Sequence, residues 1–491
     1  MQVIVCRSSF VSYCLQGIVV LKGVLYMKIL VIGGGGREHC IVWKLSQSPR
    51  VDKIFCAPGN GGIASLAECV DISATDVERI VRFTVENDID LVFVAPDDPL
   101  AGGMVDALEA AGQRAFGPRK AAALIESSKV YAKGLMKKNG IPTAKYECFD
   151  NQESAEKYLE GCSFPIVIKA DGLALGKGVI IADSLLEAKK AAADMLEKKL
   201  FGEAGSRILI EEHLTGKEFT VLAFTDGNSV APMVCSQDHK RVFDGDRGLN
   251  TGGMGAFAPS PVYTPEIAEY CMTNIYTPTI RALNEEGRKF KGVIYFGLMK
   301  TEQGVKVIEY NARLGDPETQ AVFPLLETDL TDIIDAVIDE RLHELDIKWR
   351  NQACACVVAA SEGYPGIYRK GLEISGLSNV GAYDGCNNGA DCANKTLDND
   401  HAHGAAHAHD SDHTHDAAHA HDAAHALDIV FHAGTACKDG KFYTDGGRVL
   451  GVTSRRDSLR EAIVAAYKNI EHVSFEGIHY RRDIGGGAGA V

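Results

Sequence analysis

Three polar side chains at alternate positions, Glu309, Asn311 and Arg313, punctuate a run that begins as an apolar strand at Ile308. An acid, an amide and a guanidinium at this spacing would share one face of an extended strand and point into one site. Hard oxygen ligands beside a fixed cation suit Mg²⁺ carrying a polyphosphate, because Mg²⁺ takes one or two protein oxygens and fills its shell with phosphate and water. An edge strand with a solvated polar face would show the same alternation, so other parts of the chain decide between the two.

Two glycine-rich elements favour phosphate. Gly33-Gly34-Gly35-Gly36-Arg37-Glu38-His39 follows a strand and opens a helix, where backbone N–H groups and the dipole form an anion site to which Arg37 adds a charge-assisted contact. The dinucleotide fingerprint fails, since the last glycine position is Glu38 in one register and His39 in the other. A single phosphate on a small substrate is preferred over NAD. The second element, Ile166 to Val179, places Lys169 at the end of a strand and Gly172, Gly176, Lys177 and Gly178 in a hairpin. It is not a P-loop: too few residues separate Gly172 from Gly176-Lys177, and Gly178 stands where Ser or Thr is needed. We expect a flexible glycine-hairpin lid over a nucleoside triphosphate, with Lys169 as a point charge on the phosphates.

Further on, Glu211 to Glu218 runs from a strand into a linker through Leu214. Acceptors here could read an adenine amine, and Glu218 could take both ribose hydroxyls. Gln237-Asp238-His239-Lys240-Arg241 is densely polar, and Asn250-Thr251-Gly252-Gly253-Met254-Gly255 is a glycine loop able to approach a substrate. His239 reads as a hydrogen-bonding partner rather than a general base.

The elements that position these residues form an α/β chain. With 491 residues, 46% hydrophobic and 24% charged, it is long enough for about three or four cores. Residues 27–128 alternate short apolar strands with helices, at Lys28 to Ile32, Glu38 to Ser46, Lys53 to Ala57, Val77 to Asn87 and Leu91 to Ala95. This predicts an N-terminal doubly wound βα domain with its ligands beyond the strands' carboxyl ends. A helical run from Lys120 to Asn139 leads into a central α+β domain, residues 129–350, with the lid at about 148–216. Residues 351–491 form a C-terminal α/β domain. The net charge of −15 disfavours a broad nucleic-acid face. The 14 cysteines contain no Cys-x-x-Cys pair, which fits a reducing cytoplasm.

Two segments stand apart. Residues 1–26 lack the layout of a signal peptide, and their apolar segment Gly17 to Leu25 is interrupted by Lys22 and too short to span a membrane. We read them as an upstream extension, with Met27 as the alternative start. Residues 384–426 are low in complexity and rich in Ala, Asp and His, which predicts a solvated, mobile insert. Its His-x-His pairs, such as His401/His403 and His419/His421, would bind transition metals with modest selectivity. A metal-buffering protein is accordingly a rival reading, though the less favoured one.

In combination, Lys129, Lys169 with its hairpin, Glu211 to Glu218, and Glu309-x-Asn311-x-Arg313 resemble the ATP-grasp ligases. Gly33 to His39, Ala57 to Gly61, Gln237 to Arg241, Asn250 to Gly255, Gly315 to Gln320 and Phe431 to Thr435 narrow this to a resemblance to the phosphoribosylamine–glycine ligase family. It covers residues 27 to about 484 apart from the insert. The resemblance implies ATP-dependent joining of glycine to 5-phosphoribosylamine through a glycyl phosphate, with Mg²⁺ or Mn²⁺, in a cytoplasmic monomer or weak dimer. It assigns ATP to Lys129, Lys169, Gly172, Gly176, Lys177, Gly178, Glu211, Leu214 and Glu218, and metal to Glu309 and Asn311. Substrate falls to Gly35, Gly36, Arg37, Glu38, Asn60, Gly61, Asp238, Lys240, Asn250, Gly252, Gly253, Arg313 and Asp316, and transition-state charge to Lys169 and Arg313. Another ATP-grasp enzyme acting on a phosphoribosyl intermediate is the nearest rival.

Overall fold

The computed structural model describes residues 26–173, 178–200, 202–381 and 426–486. The N-terminal extension, Gly176 and Lys177 of the hairpin, and nearly all of the His-rich insert lie outside the described residues.

The first apolar run forms the strand Met27–Gly33, whose Ile29, Leu30, Val31 and Ile32 are fully buried. A continuous apolar run is what a parallel strand covered on both faces requires. It lies mid-sheet, in the order Glu68–Cys69, Val51–Pro58, Met27–Gly33, Leu91–Val94, Ala115–Phe116, with every pairing parallel. The order therefore reverses at the first strand, and the Gly33–Gly36 turn sits at that switch point. A Cβ at Gly34 would come within 2.4 Å of the Gly59 carbonyl oxygen, so only glycine lets the two loops touch.

The helical run expected from Lys120 to Asn139 is instead two helices, Lys120–Ser127 and Lys129–Lys138. Ser128 takes an extended conformation (φ −133°, ψ 107°), and its side chain accepts from the Tyr131 N–H, capping the second helix. The break makes Lys129 the first residue of a new helix rather than a mid-helix lysine.

Two antiparallel sheets follow. One has the order Tyr146–Phe149, Ile208–Glu212, Ile166–Ala170, Val179–Ala182 and its own small core beneath the helices Gln152–Leu159 and Leu185–Leu196. Ala188, Ala191 and Ala192 let the second helix approach that sheet closely. The other sheet runs Val230–Pro232, Lys217–Thr225, Gly292–Thr301, Gly304–Asn311. A five-stranded sheet, Gln237–Asp238, Gly255–Ala258, Ala353–Ala360, Arg448–Arg456, Leu427–His432, joins central and C-terminal segments beside the helix Leu459–Ile470. The C-terminal part is thus wedded to the centre through the strand Gly255–Ala258. Among the described residues, no helix is long and apolar enough to cross a membrane.

Candidate functional site

Glu309 and Asn311 end the strand Gly304–Asn311, opposite Gly297 and Tyr295 of its antiparallel neighbour. Both are part-exposed and, being two apart, share a face. The strand stops at Asn311, so Arg313 leaves from the following turn rather than from a third strand position. Its guanidinium pairs with Glu126 at 2.9 Å and reaches Asp97 at 3.6 Å. The Glu126 carboxylate is fixed in turn by the Ala312 N–H at 2.7 Å. Expecting Arg313 on the same strand face as Glu309 required two more extended residues than the backbone supplies.

Around Glu309 the cations converge. Lys240 lies 3.5 Å from Glu309 and 3.6 Å from Glu218, drawing together residues far apart in sequence. Lys169 donates to the Ile308 carbonyl at 3.3 Å and pairs with Glu211 at 3.0 Å. Lys129 donates to the Gly172 carbonyl at 2.9 Å, tying the helix start to the glycine hairpin. Lys133, one helical turn after Lys129, also pairs with Glu211 at 2.9 Å. Glu211 is buried; one oxygen is shared by the two lysines, while Oε1 has no hydrogen-bond partner among the described residues. Leu214 sits in the linker between the strands Ile208–Glu212 and Lys217–Thr225.

Burial pushes the Glu309 carboxyl upward, but Lys240, Lys169, Lys129 and Arg313 outweigh it and hold it below the usual range. Lys240 moves the other way for the matching reason: despite burial, Asp238, Glu218 and Glu309 raise it well above an ordinary lysine. Burial lowers Lys133 to about 8. Glu318 is raised to about 7, first by burial and then by the nearby Asp238 charge. The metal expectation can be tested against the donor set. Glu309 and the Asn311 carboxamide, which has no hydrogen bond among the described residues, are hard oxygen donors. No group of three or more His, Cys, Asp or Glu able to hold an ion occurs among the described residues. Two oxygens fit Mg²⁺ or Mn²⁺ whose remaining ligands come from phosphate and water.

The glycine turn is organised differently. Arg37 is buried; its Nε and Nη2 bind Glu38 at 2.7 and 2.6 Å, and Nη1 donates to the Leu314 carbonyl at 3.1 Å. The other Glu38 oxygen accepts the Gly35 N–H at 2.7 Å. The cation and one N–H expected to face a phosphate are thus already engaged. Asn60 is saturated as well: its amide donates to the Gly34, His432 and Ala433 carbonyls, and its oxygen accepts from Gly62 and Ile63. The Gly61 N–H donates to the Thr435 carbonyl at 2.9 Å. These two residues fasten the N-terminal sheet to the C-terminal part. Asn250 pairs with Arg241 in a two-stranded hairpin.

Asp316 comes close to the turn. A Cβ at Gly35 would lie 3.5 Å from one of its oxygens and a Cβ at Gly36 3.7 Å from the other. Gln320 donates to Asp316 at 2.7 Å, and Arg448 pairs with it at 2.9 Å. Arg448, Lys133, Glu126 and Glu318 were not among the expected site residues. Lys133 carried a signal, its four-residue spacing from Lys129 on one helix face. Arg448 carried none.

A glycine turn at a sheet switch point, two antiparallel sheets meeting over lysines, and paired oxygen donors at a strand end define an ATP-grasp protein. The ADP complex of N5-carboxyaminoimidazole ribonucleotide synthetase shares this fold, at 15% identity and a TM-score of 0.58 over 90% of this chain and 96% of that one. Family models for phosphoribosylglycinamide synthetase match in three pieces: the N domain over residues 27–126, the ATP-grasp (A) domain over 127–319 and the C domain over 407–487. The phosphoribosylamine–glycine ligase of Caldanaerobacter subterraneus subsp. tengcongensis is 45% identical over 461 residues, 94% of this chain and 100% of its own. That of Halalkalibacterium halodurans is 45% identical over 459 residues, 94% of this chain and 96% of its own. The crystal structure of the Thermotoga maritima phosphoribosylamine–glycine ligase superposes with a TM-score of 0.71 at 30% identity, covering 93% of this chain and 100% of that one. The chain belongs to the phosphoribosylglycinamide synthetase family.

Proposed function

We propose that this protein ligates glycine to 5-phosphoribosylamine at the expense of ATP, giving glycinamide ribonucleotide, ADP and phosphate in purine synthesis. The observation that carries the reading is the convergence of Lys129, Lys169, Lys240 and Arg313 on the Glu309–Asn311 strand end, within a family named for this synthetase.

Joining a carboxylate to the terminal phosphate of ATP brings several anions together, so catalysis is chiefly positioning and charge neutralisation. Glu309 and Asn311 would hold Mg²⁺ or Mn²⁺, which when bound would supply positive charge to offset that of the phosphates. Lys169 and Arg313 face the charge that develops as the glycine carboxylate oxygen takes the phosphoryl group. Lys129, Glu211, Leu214 and Glu218 line the nucleotide, with Gly172 to Gly178 as the hairpin lid that excludes water from the acyl phosphate. The phosphoribosylamine nitrogen then attacks the acyl carbon and phosphate leaves. Asp238, Lys240, Asp316, Gly252, Gly253 and the Gly35–Glu38 turn form the substrate side. Arg37 acts there by holding Glu38 and the Leu314 loop. The domains run 27–128, 129–350 and 351–491, in a cytoplasmic monomer or weak dimer.

The test is ADP release with each substrate in turn. Turnover that needs both glycine and phosphoribosylamine supports the reading; turnover with bicarbonate or formate in place of glycine would replace it with a sister ATP-grasp activity.

A further inference from the structure

One arginine belongs to the C-terminal part yet reaches the substrate side of the site. Arg448 opens the strand Arg448–Arg456, and its carbonyl accepts the Gly434 N–H at 2.9 Å, so its backbone is fixed in the sheet. Its guanidinium spans two loops from the central part of the chain. Nη2 binds the Asp316 carboxylate at 2.9 Å, while Nη1 donates to the Asp316 carbonyl at 2.5 Å and to the Gly253 carbonyl at 3.4 Å. The second loop lies flat on this guanidinium: a Cβ at Gly252 would be 2.9 Å from its central carbon. Tyr364, also from the C-terminal part, accepts the Gly252 N–H at 3.1 Å.

Both loops lead to groups that matter. Asp316 abuts Gly35 and Gly36 of the phosphate turn. Burial alone would push its carboxyl up, but Arg448, followed by Arg37, holds it below the usual range. Thr251 ties the other loop to the Lys240 carbonyl through both its N–H and its hydroxyl, each at 2.8 Å. Arg37, the cation expected at the phosphate turn, is committed to Glu38. A planar fork that grips a carboxylate and two carbonyls at once is something a lysine's single ammonium does not reproduce.

We propose that Arg448 is a positioning residue: it brackets Asp316 and the Gly252–Gly253 loop into the arrangement that receives the sugar-phosphate substrate. The C-terminal part thereby sets affinity for the phosphoribosyl ligand and leaves nucleotide affinity to the central sheets. This rests on the ligase reading above.

The experiment uses the full chain and two stable probes, glycinamide ribonucleotide and MgADP, titrated calorimetrically against wild type, Arg448→Lys and Tyr364→Phe. Arg448→Lys should weaken glycinamide ribonucleotide by about ten-fold or more, the scale of losing hydrogen bonds to a charged group, with MgADP affinity kept. Steady-state assays should show the matching split, a raised KM for phosphoribosylamine and an unaltered KM for ATP. Tyr364→Phe, which removes one contact to the same loop, should shift the same ligand in the same direction by less. Equal weakening of both probes, or no weakening of either, would overturn the proposal. Wild-type protein that binds MgADP but not glycinamide ribonucleotide would instead defeat the ligase reading, and this inference with it.

Discussion

The two seams of this molecule are built on opposite plans. Where the central sheets meet, Lys133 and Lys169 close on one oxygen of Glu211 and leave its other oxygen without a hydrogen-bond partner among the described residues, while Lys240 stands off at 3.5 Å from Glu309 and 3.6 Å from Glu218. Where the N-terminal sheet meets the C-terminal part, nearly every group is spoken for, with Asn60 satisfying three carbonyls and two N–H groups. There His39 accepts the His432 N–H at 2.8 Å, and burial lowers its imidazole to about 4, keeping it neutral. In the proposed reading the first seam serves a highly charged ligand, whereas the second is a frame. Near neighbours at ion-pair distance are therefore poor guides to function by themselves, and the way their capacity is used separates the two roles.

The largest expected effect tests the open seam. Glu309→Gln should lower turnover about 100- to 10,000-fold, the scale of removing a major electrostatic contributor, at saturating Mg²⁺ in the ADP-release assay. Near-normal turnover would erase the distinction between the seams. Lys133→Met should destabilise by about 3 kcal/mol in denaturant unfolding, the low end for breaking a buried pair, because Lys169 still faces Glu211. No loss would mean that the lysine pair serves ligand only.

Protonation sharpens the same contrast. Unfolded, Glu318 ionises near 4.5; folded, burial and Asp238 raise it to about 7, so the folded state binds the extra proton between those values. Its stabilising contribution is complete below about pH 4.5 and disappears as pH rises through about 7. Glu318→Gln should flatten that decline in a pH series of unfolding midpoints; an unchanged slope would show that another group carries it. At the frame, Asn60→Ala should cost about 2 kcal/mol, since it unpairs buried backbone groups. MgADP affinity should stay unchanged, and a weakened nucleotide would mean that the two seams are coupled.

Much of this was legible in the residues. Glycine loops marked the strand ends at Gly33, Ala57 and Ala95, because a parallel sheet delivers its loops to one edge. Alternation placed Glu309 and Asn311 on one face. The errors have physical causes. Arg313 looked like the next strand position, yet nothing in a hydrophobic pattern says where hydrogen bonding to the neighbouring strand stops. Arg37 looked free, although its partner is the adjacent Glu38, an acid placed to fold back on the helix start. Ser128 was a readable cap inside a run taken as one helix. Arg448 meets Asp316 across a separation of 132 residues, a distance that no local spacing rule spans.

A small contact at Gly381 has a larger consequence. Its backbone (φ +53°) presses against the strand Leu427–His432 so tightly that a Cβ there would be 2.2 Å from the Asp428 carbonyl oxygen. The polypeptide thus leaves the C-terminal sheet and rejoins it at nearly the same point. A larger side chain at 381 would pry the strand Leu427–His432 away from this clasp, so the edge of the C-terminal sheet depends on a glycine at that one point.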